Sequence, residues 1–460
     1  MAGDDVSRLS RERFERTRPP SRRRLPRVDT SRLPRGPRLP VLVQSAGLLR
    51  FRHRFVPWLH RRYGDTFTLR LVPAARPLVM HTRPEDTKEI FAGDPEVFHA
   101  GKGNAILGPV MGEHSVLLLD GAEHKRARRL LMPAFSGHAL RSYRDVVAGL
   151  AKTEVASWTP GQELRALDRM NALTLEVILQ VVFGVTDESR LARLRPLVKE
   201  TVDVSPVVLL GWSIPFLQRF GVWKRTVETS FELDRLIYAE IRERRQAPDL
   251  ADRADVLSQL IRIDTDGDRL TDIELRDHLV TLLLAGHETT ATALAWALYE
   301  VGRDETQLAR AQAAASGGDD AWLEAVFKES TRLHPVIAMV VRTLMRPATV
   351  GGRELPAFTT VGPSILLAHA DPQSFPEPER FDPERFTGEH PPALNTWIPF
   401  GGGARRCLGA AFSQMEAVEV LREVFASYDV HTVGTERAKV RNITSVPDGG
   451  ARIVVTERVG

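Results

Sequence analysis

Leu48, Leu49, Phe51, Phe55, Trp58 and Leu59 recur at helical spacing, which predicts an amphipathic helix over residues 47–63. Gly64 and Asp65 break the pattern, and the runs 66–72 and 77–81 read as a short hairpin. Thr82, with Glu85 three positions on, predicts a capping box that opens a helix ending at Phe91. Residues 99–118 are glycine-rich and aperiodic, a loop of the length that usually serves function. A helix follows from Asp120, with His124 and Arg128 on one face and Pro133 at its end. Between 140 and 260 helical patterns alternate with short loops. One apolar stretch there, 207–217, is too short to span a bilayer and reads as a lid, a shallow membrane contact or core.

The longest apolar pattern begins at Thr271, which forms a second capping box with Glu274, and continues to about Arg303. Such a helix spans roughly 45 Å and, being apolar nearly all round, has to cross the centre of the fold. Its middle is Ala285-Gly286-His287-Glu288-Thr289-Thr290. A glycine, an acid and two hydroxyls cut against helix stability or burial, and rules broken inside a core element usually mark function. Upstream, Asp264, Asp266 and Asp268 imitate the start of a calcium loop. Arg269 and Leu275 stand where that loop needs glycine and glutamate, so the segment reads as a turn.

A further helix runs from Asp319 to Leu333 and places Glu329 and Arg332 on one face. An apolar strand over 336–341 ends at Arg342, a proline-punctuated meander covers 375–386, and a helix covers 410–428. The whole pattern is mainly α with small β-sheets.

Composition changes this picture little. The chain has 460 residues, 43% hydrophobic and 27% charged, as in an ordinary globular protein. No run of about 18 apolar residues predicts a transmembrane segment, and no signal peptide is evident. Charge changes it more. Residues 1–40 hold twelve arginines against five acids, a balance of 12 − 5 = +7, while the whole chain carries +4, which leaves 4 − 7 = −3 for the rest. Residues 1–40 therefore read as a disordered basic Arg/Pro-rich tail, and residues 41–460 as a single domain. A basic tail on a slightly acidic body argues against nucleic-acid binding. It leaves open organelle import or a contact with an anionic membrane, beside a cytoplasmic location.

The one cysteine, Cys407, excludes an intramolecular disulfide and suits a reducing compartment. It lies in Trp397-Ile-Pro-Phe400-Gly-Gly-Gly403-Ala-Arg405-Arg406-Cys407-Leu-Gly409-Ala410. Arginines and a following helix N-terminus favour the thiolate, and glycines let the backbone approach a large flat group. A thiolate presented this way is a candidate axial ligand of haem iron, against the plainer reading of an inert buried thiol.

At this point the chain resembles the cytochrome P-450 superfamily of haem-thiolate monooxygenases, in its bacterial, soluble form. The cysteine loop matches that family's signature at Phe400, Gly403, Arg405, Cys407 and Gly409. The long helix carries its Ala/Gly-Gly-x-Asp/Glu-Thr-Thr pattern, Glu329 and Arg332 its Glu-x-x-Arg element, and Pro383-Glu384-Arg385-Phe386 its Pro-Glu-Arg-Phe element. The resemblance covers about residues 40–460, and His124 stands where many members carry tryptophan.

The resemblance implies the cytochrome P-450 fold, with the long central helix crossing over a haem b whose iron is ligated by Cys407. It implies that His124, Arg128, Arg342 and Arg405 meet the haem propionates. Glu329 and Arg332 would form a buried triad completed by Arg385, with Arg380 as the rival third member. Glu288 and Thr289 would serve dioxygen activation. Leu283, Leu284, Ile337, Met339 and Val340 are candidate pocket residues, apolar enough for a fatty acid, terpenoid or steroid-like substrate. The reaction is then insertion of one atom of dioxygen into that substrate by a monomer. Electrons would come from a ferredoxin or flavodoxin-type donor with its reductase, meeting a positive face formed by residues 125–129 and Arg406. A peroxide-using haem-thiolate enzyme and a haem sensor or carrier are the competing readings. Neither needs the acid–threonine pair.

Overall fold

The computed structural model describes residues 26, 28–72, 75–202, 208, 216 and 219–458. Most of the basic tail lies outside the described residues, as does the apolar stretch 207–217 apart from Val208 and Phe216. The chain forms two compact units, each assembled from separated stretches. One combines residues 100–146 and 174–288, and the other residues 26–99, 147–173 and 289–460.

In chain order, the helices of seven or more residues are α1 (Val41–Arg50), α2 (Arg52–Tyr63), α3 (Pro84–Ala92), α4 (Gly121–Leu131), α5 (Gly137–Ala156), α6 (Ala166–Val177) and α7 (Glu188–Val202). There follow α8 (Gly221–Gln246), α9 (Val256–Arg262), α10 (Asp272–Val301), α11 (Glu305–Gly317), α12 (Asp320–Leu333) and α13 (Ala410–Ser427). The strands are β1 (Thr66–Leu71), β2 (Arg76–His81), β3 (Phe98–His99), β4 (Glu163–Arg165), β5 (Arg342–Leu344), β6 (Ala348–Val350), β7 (Arg353–Leu355), β8 (Thr360–Pro363), β9 (Tyr428–Thr432), β10 (Ala438–Arg441), β11 (Thr444–Pro447) and β12 (Arg452–Glu457). Every one of these strands lies in the second unit; the first is helical.

Acidic and hydroxyl caps set several helix starts. At α10 the reciprocal box forms: the Thr271 N–H donates to Glu274 Oε2 at 2.9 Å, and the Glu274 N–H to Thr271 Oγ1 at 3.3 Å. Asp304 and Asp319 cap α11 and α12 by accepting backbone N–H groups of the first turn, without the return bond. The box expected at Thr82 does not form. Helix α3 starts at Pro84, a residue suited to a first turn, and the Thr82 hydroxyl donates to Asp65 instead.

Three other expectations need correction. The helix expected over 47–63 is two helices, because Phe51 leaves the helical region at φ −125° and ψ 23°. Residues 336–341 form no strand: Ile337 bridges Thr444 and Met339 bridges Ser364, two unrelated partners, and regular pairing starts only at β5. The loop 99–118 holds two single-turn helices, Ala100–Gly103 and Gly108–Met111. The acidic segment near residue 266 is a turn, with Asp266 and Gly267 both at positive φ.

The main sheet has the order β1-β2-β8-β5-β3. Strands β2 and β8 run parallel with Val79 opposite Val361, and β5 is antiparallel with Arg342 opposite Val361. Chain packing begins upstream of residue 41, since the Thr68 N–H donates to the Arg35 carbonyl at 3.2 Å. Gly36 permits that approach: a Cβ there would lie 1.8 Å from the Thr68 oxygen. One face of the sheet packs on Ile90, Phe91, Ile365 and Ile398, so the core reaches the start of the cysteine loop.

Candidate active site

Cysteine 407 sits just before α13, at the end of a loop closed on itself. Its backbone N–H donates to the Phe400 carbonyl at 2.8 Å, and Gly401 N–H donates to Ile398 C=O at 3.0 Å. Residues Gly403–Arg405 make one 3₁₀ turn between them. Gly401 and Gly403 have φ of 65° and 64°, and a Cβ on Gly403 would lie 1.9 Å from the Phe91 carbonyl oxygen. Glycine is therefore required on the side pressed to α3, while the Gly409 side meets nothing within 4 Å. Cys407 is exposed, and Phe400 and Arg405 are half-buried. A buttressed loop that turns its only thiol outward fits a flat group bound through sulfur.

Aromatic contacts tie this loop to the meander before it. The Trp397 ring meets Phe386 at 5.5 Å and Phe400 at 5.8 Å between centroids, both edge-on. The Trp397 indole N–H donates to the Lys328 carbonyl on α12 at 3.2 Å.

The neighbouring helix α12 carries Glu329 and Arg332, 0% and 1% exposed. Arg332 holds Glu329 through two bonds, Nε to Oε2 at 2.7 Å and Nη2 to Oε1 at 2.8 Å. Of the two arginines left open, Arg385 lies against Glu329, at 3.4 Å. The Arg380 side chain turns outward to Glu377, and only its carbonyl joins, accepting from Arg332 Nη2. Arg332 also donates to the carbonyls of His369 and Pro378, and the Asp382 N–H donates to Glu329. Burial pushes the Glu329 carboxyl up, against the pull of Arg332.

Sequence reasoning missed His369. Its ring is 1% exposed and accepts from the Ile398 N–H at 2.8 Å through Nε2. A backbone N–H can only donate, so the ring proton belongs on Nδ1. Burial, with Arg332 nearby, pushes the ring down to about 3, so it stays neutral. His369 thus couples the Arg332 network to the cysteine loop. A lone histidine between two alanines carries no sequence signal for this.

Arg342, on β5, is 6% exposed; its guanidinium donates to the Val341 carbonyl and lies 6.0 Å from the Phe91 ring centre. In the helical unit, His124 is buried on α4 and Arg128 is half-buried one turn on. On that helix Arg126 pairs with Asp268 and Glu274, and Arg129 with Asp268. Two of the four cations in 125–129 are therefore paired with acids of their own unit, which reduces the positive face expected there, while Lys125 stays exposed.

Helix α10 is unbroken through its polar middle. His287 and Glu288 are buried, and the His287 carbonyl accepts from Thr174 Oγ1 at 3.1 Å. Apart from Leu284 and the first turn, the accessible residues of this helix are Leu282, Ala285, Gly286 and Thr289. They recur three and four apart and so share one face. Beyond it, the Thr290 and Ser413 hydroxyls meet at 3.1 Å, joining α10 to α13. Of the candidate pocket residues, Leu283 is 0% exposed and belongs to the core; Leu284, Ile337, Met339 and Val340 remain accessible.

A second group missed in the sequence lies where α10 begins. Arg276 Nε donates to Asp234 at 2.6 Å and Nη1 to Asp277 at 2.9 Å, all three within 1% of full burial. Arg276 also donates to the Met111 and Val110 carbonyls, and Asp277 accepts from the His114 N–H. This fixes the loop around residue 112 to α10.

A family model described as Cytochrome P450 matches residues 34–449. The chain is 50% identical over 437 residues to cytochrome P450 135A1 of Mycobacterium tuberculosis, covering 94% of this chain and 97% of that one. It is 43% identical over 432 residues to cytochrome P450 135B1 of Mycobacterium bovis, covering 92% and 91%. Among solved structures, a retinoic acid-bound cyanobacterial CYP120A1 superposes with a TM-score of 0.80 at 23% identity, over 93% of this chain and 100% of that one. The heme domain of cytochrome P450DA does so at 0.80 and 24% identity, over 93% and 98%.

Proposed function

We propose a lipophilic substrate and electron supply from separate proteins for this chain, which belongs to the cytochrome P450 family of haem monooxygenases. Haem, in its b form, supplies the binding and reductive activation of dioxygen when held through sulfur. Cys407 is the only side chain that can provide that sulfur as thiolate. Phe400, Gly403 and Gly409 shape the loop that presents it. Arg342 and Arg405, and in the helical unit His124 and Arg128, are the cations we assign to the propionates.

The accessible stripe on α10 supports the reading most directly. Small side chains at Ala285 and Gly286 leave room beside the Thr289 hydroxyl, which can hold a proton at Oγ1. The Glu288 carboxyl at the adjoining position is itself buried and can pass one on. Leu284, Ile337, Met339 and Val340 offer accessible apolar surface, which suits a fatty acid, terpenoid or steroid-like substrate. With Arg126 and Arg129 already paired, exposed Arg406 is the cation we assign to a ferredoxin or flavodoxin-type donor served by its reductase. The enzyme is then a cytoplasmic monomer; among the described residues no helix is long and apolar enough to cross a membrane.

The test is Thr289→Ala in a reconstituted system with a substrate found by spectral-shift screening of lipophilic compounds. The variant is expected to keep haem and substrate binding while most electrons drawn from the donor end as peroxide. Product formed in full proportion to electrons consumed overturns the assignment.

A further inference from the structure

Helix α1 buries Leu48 in the core but turns much of its remaining apolar surface outward. Its polar residues Gln44 and Ser45 face inward, 1% and 4% exposed, while Leu42 is 73% exposed and Val43 and Leu49 nearly half. The inward polar pair has a definite task. The Arg70 N–H donates to Gln44 Oε1 at 2.8 Å and the Val72 N–H to Ser45 Oγ at 3.0 Å, which covers the outer edge of β1, the edge strand of the main sheet. Gln44 Nε2 also donates to the Leu39 carbonyl at 2.7 Å. With Gln44 and Ser45 committed to the sheet edge and Leu48 to the core, Leu42, Val43 and Leu49 point to solvent.

Helix α2 continues the same surface. Phe51, Arg54, Trp58, Arg61 and Arg62 are all exposed and share one face by their spacing. Trp58 stacks on Phe55 at 5.9 Å but stays 42% exposed, and Phe51 is 59% exposed. Scattered apolar side chains on a surface are ordinary, but six large ones within residues 39–58 are a patch.

The charge along this stretch of chain has one sign, and the first carboxylate after it, Asp65, is engaged by His60 and Arg83. From Thr30 to Gly64 the sequence contains no aspartate or glutamate. Arg38, Arg50, Arg54, Arg61 and Arg62 are exposed, and none has a carboxylate partner among the described residues. Residues 1–25, joined just upstream, add eight arginines against four acids, 8 − 4 = +4. Two copies of this face would set arginine against arginine, which disfavours a self-complementary dimer. An acidic protein would match the charge but not an outward row of leucine, valine, phenylalanine and tryptophan. An apolar helix face rimmed by arginine and tryptophan, with no acid along its own length, fits an interface that is anionic outside and apolar beneath.

We propose that α1 and α2 seat the protein peripherally on an anionic lipid surface. Leu42, Val43, Leu49, Phe51 and Trp58 enter the acyl boundary, and the arginines take the headgroup phosphates. The inference is independent of the catalytic reading above.

The test is co-sedimentation of the full-length haem-loaded protein with vesicles of phosphatidylcholine alone or mixed with phosphatidylglycerol. Binding is expected only with phosphatidylglycerol and should fall steeply with salt. Replacing Arg54 and Arg61 by glutamine should weaken it about fivefold per arginine. Leu42→Ser with Leu49→Ser should weaken it at least tenfold while the carbon monoxide difference spectrum stays that of the parent, which separates lost binding from lost folding. No partition to either vesicle overturns the proposal, as does unchanged binding by the double serine variant. A lipid-free dimer that the same variant dissociates, without vesicle binding, assigns the face to a second copy. Loss of affinity only for an acidic donor protein assigns it to that partner. Either result rejects the lipid surface.

Discussion

Glu416, on the helix that follows Cys407, is 1% exposed, and its Oε1 accepts no hydrogen bond among the described residues. Burial alone pushes its carboxyl up to about 8 from 4.5. The folded state therefore holds a proton that the unfolded chain releases, so this contribution to stability is intact below 4.5 and lost as pH rises towards 8. Glu416→Gln keeps the shape and removes the titration. It should flatten the decline of melting temperature across that window and leave the variant more stable at pH 8, by roughly 3 kcal/mol. Parallel curves for the two proteins would show that the carboxyl finds a charged or solvated state instead. Nothing in the sequence singled this residue out, because a glutamate on an amphipathic helix usually faces water. Cys407 was legible for the opposite reason: its glycines and arginines make sense only around a presented thiolate, whatever the fold.

Elements were legible where local chemistry decided them and illegible where packing did. Periodicity placed α10, α12 and α13 to within a few residues, and Thr271 with Glu274 fixed the start of the longest one. For α1 and α2 periodicity gave one helix over 47–63, and nothing local showed that the unsatisfied edge of β1 would claim Gln44 and Ser45 upstream of it. The contact of α2 with the hairpin of β10 and β11 was likewise invisible. Arg52 donates to the Ile443 and Asn442 carbonyls, and His53 Nε2 meets Ser445 Oγ at 3.0 Å. Burial pushes His53 down to about 4, with Arg52 and His334 adding to it. Its pKa is depressed on folding, so the stability it contributes is present above 6.5 and lost as pH falls towards 4. His53→Gln should make the acid limb of the stability curve shallower in that range, by about 2 kcal/mol at most because the ring is partly exposed. The hairpin amides should also lose hydrogen-exchange protection in the parent, but not in the variant, when pH drops from neutral into that window. Equal protection in both would remove His53 as the cause.

At the scale of the whole chain, four short motifs were enough to identify the family. They did not reveal two units built from discontinuous stretches, since no composition change marks the crossings. Nor could they choose between Arg380 and Arg385, because both follow the same meander and only three-dimensional packing aims one at Glu329. That network makes a demand which an ordinary buried ion pair does not. Removing one partner of a buried pair typically costs about 3–5 kcal/mol, whereas replacing both by apolar residues is often nearly neutral. Here Arg332 serves Glu329 and also the carbonyls of His369, Pro378 and Arg380, while Glu329 takes the Asp382 N–H and faces Arg385. Glu329→Leu with Arg332→Leu would leave three carbonyls, one N–H and the Arg385 charge without these partners, the fully buried His369 carbonyl alone costing about 1–3 kcal/mol and the part-buried groups less. The double variant should therefore not recover. Haem per polypeptide and the urea midpoint are expected to be as low as in either single variant, or lower. A double variant that binds haem like the parent would reduce the network to a replaceable pair, and would free the cysteine loop from the dependence on α12 that Trp397 and His369 impose.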